Sequence, residues 1–142
     1  MSDYIHAMEH ARKSLEYDRR TGDKGRISSS LNTLAGICLV AKQLDDAEKY
    51  ITEALQYSTS AGDSSRMAIQ YGMASEIYYK LGNYQRSLQY AQKAYVIDSL
   101  LGNEGKMAVR LTMQGAALGG MKCDDEAVAV YQKAIPTLRS VG

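Results

Sequence analysis

Small and apolar residues recur along this chain at two spacings at once. Within a stretch they fall on one face of a helix, a few residues apart, and the whole stretch returns forty residues later. Ala7, Ala11, Ser14, Leu15 and Tyr17 make the first stripe, and Ala47, Ile51, Ala54, Leu55 and Tyr57 the second. Ser87, Ala91, Ala94, Tyr95 and Ile97 follow, then Ala127, Tyr131, Ala134, Ile135 and Thr137. The turns keep the same interval. Gly22-Asp23-Lys24, Gly62-Asp63-Ser64 and Gly102-Asn103-Glu104 stand forty residues apart, and Gly142 falls where the next would begin. Glycine suits the left-handed residue that closes a helix, and Asp or Asn after it suits the side-chain cap that opens the next. Each such turn is therefore expected to join two helices.

Three further helices fill the spaces between the stripes, over 24–41, 64–81 and 104–121, each followed by a short turn at Lys42-Gln43-Leu44, Gly82-Asn83-Tyr84 or Lys122-Cys123-Asp124. A helical hairpin repeated in this way buries its apolar face only against its neighbours. The expected fold is all-α, a right-handed α-solenoid of stacked antiparallel helix hairpins with about three and a half repeats and seven helices. It is read as a single array over 1–142. The second helix of an incomplete repeat (1–22) precedes repeats at 23–62, 63–102 and 103–142. Natural arrays end in polar capping helices, and neither end here reads as one. The chain is thus expected to be an excerpt of a larger protein, or else a short protein that covers its ends by dimerising. Pro136 removes a backbone donor and disfavours helical geometry at Ile135, so the last helix is expected to kink or stop near Ala134.

One set of columns is more specific. The second unit presents Tyr71, Ala74-Ser75, Tyr78, Gly82, Tyr84, Ser87, Ala91 and Ala94. The first presents Leu31, Leu34-Ala35, Cys38, Lys42, Leu44, Ala47 and Ala54, and the third Leu111, Gln114-Gly115, Leu118, Lys122, Asp124, Ala127 and Ala134. This register resembles the tetratricopeptide repeat: a large residue, a Leu-Gly-like pair and an aromatic on the first helix, Gly at the turn, then an aromatic and spaced alanines. The departures are a period of forty rather than thirty-four and the lack of an aromatic turn residue in units one and three. The longer period is similar to that of kinesin light chains and of bacterial tetratricopeptide regulators that sense peptides.

The resemblance implies a concave face lined by the first helix of each hairpin. Its groove columns map to Ser29, Asn32, Thr33, Gly36, Leu39 and Val40, to Ile69, Gly72, Met73, Glu76, Tyr79 and Lys80, and to Val109, Thr112, Met113, Ala116, Gly119 and Gly120. The Lys-and-Asn clamp that chaperone-binding relatives use is missing, with Asn32 standing alone. Small and apolar residues at these positions suit an amphipathic helix or an extended peptide. Gly115 and Gly119, one turn apart, are read as a close-packing face.

Composition narrows the field. Seventeen basic and sixteen acidic residues leave a net charge of +1 without a basic block, so no nucleic acid is expected to bind this segment directly and no anionic membrane to attract it. The longest nearly apolar run, 34–41, is far short of a membrane span. Cys38 and Cys123 occupy non-equivalent positions and read as free thiols, which fits a cytoplasmic location. His6 and His10 have a spacing that can present two imidazoles to one metal, but no third ligand is evident. No nucleophile elbow or Cys-His-Asp group is present, and Gly102 to Lys106 lacks the strand and the Ser or Thr of a phosphate loop. The eleven tyrosines, with no Phe or Trp, read as packing. The expectation is a non-enzyme without cofactor or metal, a module that binds a protein or peptide in its groove. The alternative is a sensor or regulatory segment of a signalling protein, a transcription regulator or kinase, whose output domain lies elsewhere. Self-association through uncapped ends is a further use of the same architecture.

Overall fold

The computed structural model describes residues 2–141. Among them are seven α-helices: α1 (Ser2–Thr21), α2 (Lys24–Val40), α3 (Leu44–Ala61), α4 (Ser64–Lys80), α5 (Tyr84–Leu100), α6 (Glu104–Gly120) and α7 (Asp124–Val141). The chain forms two compact units, Met1–Met73 and Ala74–Gly142, and α4 contributes residues to both. In the first unit α2 packs against α1 and α3; in the second, α6 packs against α5 and α7. No described helix is long and apolar enough to cross a membrane.

The turns explain the even helix lengths. Residues 22, 42, 62, 82, 102 and 122 all have positive φ, and two of these, Lys42 and Lys122, are not glycine. At Gly62 the amide donates to Thr59 O (3.1 Å) and Asp63 N donates to Ser58 O (3.0 Å). This paired closure satisfies carbonyls that a helix end would leave bare. The same pair recurs at 42–43, 82–83, 102–103 and 122–123. Asp23 and Asp63 then cap the next helix by accepting from Arg26 N and Arg66 N, each at 3.1 Å. Asn103 makes no such side-chain bond, contrary to the expectation for the third turn. Asn83 does cap, accepting from Arg86 N at 3.2 Å.

Alanines at the helix crossings are buried, among them Ala35, Ala47, Ala54, Ala91, Ala94, Ala108 and Ala117, and they let backbones approach while Leu31, Leu34, Ile51 and Ile77 fill the remaining space. The first stripe is shifted from the expected one. Met8, Ala11, Leu15 and Asp18 are buried, whereas Ser14 and Tyr17 are exposed. The i, i+3, i+4 series simply runs through 8, 11, 15 and 18. Thr137 lies outside the residues whose side chains are described.

The hairpins are joined by buried polar pairs set twelve residues apart. Ser30 Oγ donates to Asp18 (2.5 Å), Ser58 Oγ to Gln70 (2.6 Å) and Arg110 Nε to Asp98 (3.0 Å). Each pair runs from the last turn of one helix to the second turn of the helix after it, and the positions repeat every forty residues. Gln70 Nε2 also donates to Ser28 Oγ (2.6 Å), which donates to Ala54 O (3.0 Å). In the second unit Ser75 Oγ donates to Ser87 O at 2.7 Å, closing α4 onto α5. Tyr78 stacks on Tyr90 with centroids 5.5 Å apart, and Arg86 lies over the Tyr78 ring at 5.4 Å.

Two expectations need correction. Of the kink or stop expected near Ala134, the stop is overturned: helix α7 continues through Pro136 to Val141. Pro136 and Gln132, whose carbonyl loses the proline's missing donor, both lie on the exposed side, where water can replace that bond. Gly115 and Gly119 do not form one packing face. A Cβ at Gly115 would stand 2.6 Å from the Tyr131 ring, but one at Gly119 would meet nothing within 4 Å. The second close approach is instead at Gly120, against Tyr84.

Candidate functional site

Helices place the expected groove residues in two sets, one per unit. In the first unit Val40 is exposed and Gly36 is half-buried, and both line a pocket of about 640 Å³ with Asp3, Tyr4, Thr33 and Ile37. Met73 lies against Gly36, where a Cβ would be 3.5 Å from its Cε. Asn32 and Leu39 do not line this pocket. Leu39 is buried because it falls on the core side of α2 with Leu31, Leu34, Ala35 and Cys38. Asn32 is half-buried, and its Oδ1 is buried without a hydrogen-bond partner. Gly72 is buried, and Ile69 is exposed without lining a described pocket.

The second unit brings its expected residues closer together. Glu76, Tyr79, Val109, Met113 and Ala116 line one pocket of about 300 Å³, completed by Ser75 and Ser87. Tyr79 and Ala116 also line the adjoining depression of about 580 Å³, with Gly115, Gly119, Gly120, Asp124, Val128 and Tyr131. Together they make a groove along α6 with α4 on one side and α7 on the other. The glycines shape its floor. The Tyr131 ring packs against Gly115 and the Tyr84 ring against Gly120, while a Cβ at Gly119 would meet nothing within 4 Å. Tyr84 also holds Tyr79 edge to face, with centroids 5.3 Å apart. Lys80 and Thr112 are exposed but line neither pocket.

Sequence reasoning placed Gly119 and Gly120 in the groove but did not single out Tyr84, Tyr131 and Asp124 as groove residues. The signal was available in the aromatic at the start of the second helix. It was obscured because the carried-over columns lie on the first helices alone.

Nothing in the site points to catalysis. His6 and His10 are exposed, and among the described residues no group of three or more His, Cys, Asp or Glu side chains could hold a metal ion. Cys38 and Cys123 are free thiols. Burial raises the Cys38 thiol above its ordinary pKa, with the Asp46 carboxylate adding to the shift, so this cysteine is held as the unreactive thiol.

The family model described as tetratricopeptide repeat matches residues 26–98, just over half of the chain. No curated protein matches the sequence. Among solved structures, BtubC (BKLC) from P. vanneervenii superposes with a TM-score of 0.90 at 19% identity, over 99% of this chain and 58% of that one. This chain thus spans little more than half of BtubC's length. A Podosopora anserina protein described as a kinesin light chain with nearly identical TPR-like repeats gives 0.79 at 14% identity, covering 99% of this chain and 69% of its own. MamA gives 0.65 at 16%, covering 94% and 79%. At these identities the likeness concerns the fold, an all-α helical-repeat solenoid.

Proposed function

This chain belongs to the tetratricopeptide repeat family, and from that premise we propose that it is a non-catalytic module that holds a peptide or helix of a partner protein against its first-helix surfaces. Repeats of this family generally mediate protein–protein interaction. The observation that carries the reading here is the apolar groove along α6. Tyr79, Val109, Met113 and Ala116 line it, and two of its large apolar residues, Tyr79 and Val109, are 41% and 49% exposed. Apolar side chains gathered in a concavity favour burial by a partner, and concave groups of this kind mark contact surfaces more often than scattered exposed ones do. The near-zero net charge argues against nucleic acid as that partner.

A charged side chain in the groove should break the contact. Tyr79→Asp and, in the first unit, Met73→Asp are expected to abolish partner binding while the helical circular dichroism of the chain stays unchanged. Affinity capture from native extract compares each variant with the original chain. A partner retained by both variants would reject the groove as the contact surface.

A further inference from the structure

The charged residues that line the second unit's groove are all acidic, and Arg110, whose guanidinium reaches Met113, is paired with Asp98. The two acidic lining residues are Glu76, in the pocket beside Val109 and Met113, and Asp124, in the depression beside Gly119. Among the described residues neither carboxylate takes part in an ion pair or side-chain hydrogen bond, and the lysines closest to them in sequence, Lys80 and Lys122, pair with neither. The partly exposed Tyr79 and Tyr131, whose ring faces carry negative quadrupole potential, line the same hollows. A Cβ at Gly119 would meet nothing within 4 Å, and Gly119 shares the lining of the depression with Tyr79, Tyr131 and Asp124, which leaves room there for a side chain from outside.

Resting on the reading of this groove as a contact surface, we infer that its occupant is a basic, amphipathic protein segment. A Lys or Arg stem runs over Gly119 beside the tyrosines and sets its cation on Asp124, and an adjoining apolar side chain fills the pocket at Val109 and Met113 beside Glu76. Stem methylenes suit the glycine floor, and the cation gains both a carboxylate and an aromatic face. An acidic segment would bring like charge against two unpaired carboxylates.

Panning a random dodecapeptide display library on the full chain tests this. Enriched peptides are expected to carry Lys or Arg beside Leu, Ile or Met, and to bind less tightly as salt is raised. Removing charge without changing shape, in the Glu76→Gln/Asp124→Asn double variant, should weaken them about tenfold, the equivalent of two partly desolvated charge contacts. Gly119→Leu, which fills that space with a neutral side chain, should abolish binding. Peptides lost on Gly119→Leu but showing no excess of basic residues, or unaffected by the double variant, would overturn the inferred chemistry and leave the groove standing. Peptides that bind Gly119→Leu as well as the original chain would overturn the groove itself. A library yielding no enriched peptide would count against both.

Discussion

In the first unit the buried link from α3 to α4 is neutral, running from Ser58 through Gln70 to Ser28. Forty residues later, in the second unit, the equivalent link is the ion pair Asp98–Arg110, with Asp98 wholly buried. Asp18–Ser30 is a third version, a carboxylate accepting from a hydroxyl. The repeat therefore needs a polar bridge at this position but tolerates very different partners in it. What differs is the consequence of losing one. Ser28 keeps Ala54 O as an acceptor, and Ser58 can turn to Leu55 O at 3.3 Å. Asp98 has no such fallback, since its Oδ1 already lacks a hydrogen-bond partner.

That contrast sets the order of expected effects. Arg110→Met strands a buried carboxylate and should cost about 3–5 kcal/mol, read as a fall in the urea midpoint of the full chain. Adding Asp98→Leu should recover most of this loss, because a well-packed apolar pair often equals or exceeds a buried ion pair in stability. If the double variant is as unstable as the single one, the bridge is required for more than satisfaction of charge. Gln70→Leu, by comparison, should cost only about 1 kcal/mol, the usual worth of a net hydrogen bond. Equal losses for Gln70→Leu and Arg110→Met would erase the comparison.

The helix caps offer a smaller contrast. Asp63→Ala should cost about 1 kcal/mol, whereas Asn103→Ala, whose side chain makes no capping bond, should cost a few tenths at most. The Arg66 amide and guanidinium hold the Asp63 carboxyl below the usual carboxylate range. A carboxyl whose folded pKa is depressed contributes stability that is present above its unfolded pKa, near 3.9, and is lost as pH falls through the folded value. The difference between the original chain and Asp63→Ala should therefore be constant at neutral pH and shrink only below about pH 4. Of comparable size but opposite sign, Gly119→Ala should stabilise the chain by about 0.5–1 kcal/mol through helix propensity, having nothing to displace. Gly115→Ala should gain less, because Tyr131 must swing aside.

The helices were legible in the sequence because glycine, lysine and capping residues at the turns fix their ends independently of any packing. Expected and observed ends of α2, α4 and α6 differ by one residue. The buried bridges were not, since Asp18, Ser58 and Asp98 read as solvated helix ends when only apolar residues are counted. Comparing columns would have found them, because a position polar at 18, 58 and 98 but spaced like core invites a partner twelve residues on. Leu39 was misplaced for a related reason. One helical face holds positions 32, 36, 39 and 40 only loosely, and 39 falls on its core edge while Val40 is 83% exposed. Pro136 misled because proline's effect depends on whether the carbonyl it orphans faces water, which the sequence alone does not say.

The most direct test of the groove as contact surface is a photo-crosslinking amino acid placed at Val109 and, as the control, at Val96. Val109 lines the groove, and Val96 is exposed on α5 and lines neither hollow of the groove. Irradiation in native extract should give discrete protein adducts from position 109 that Gly119→Leu removes, and none of these from position 96. The same adducts from both positions, or from 96 alone, would contradict the account.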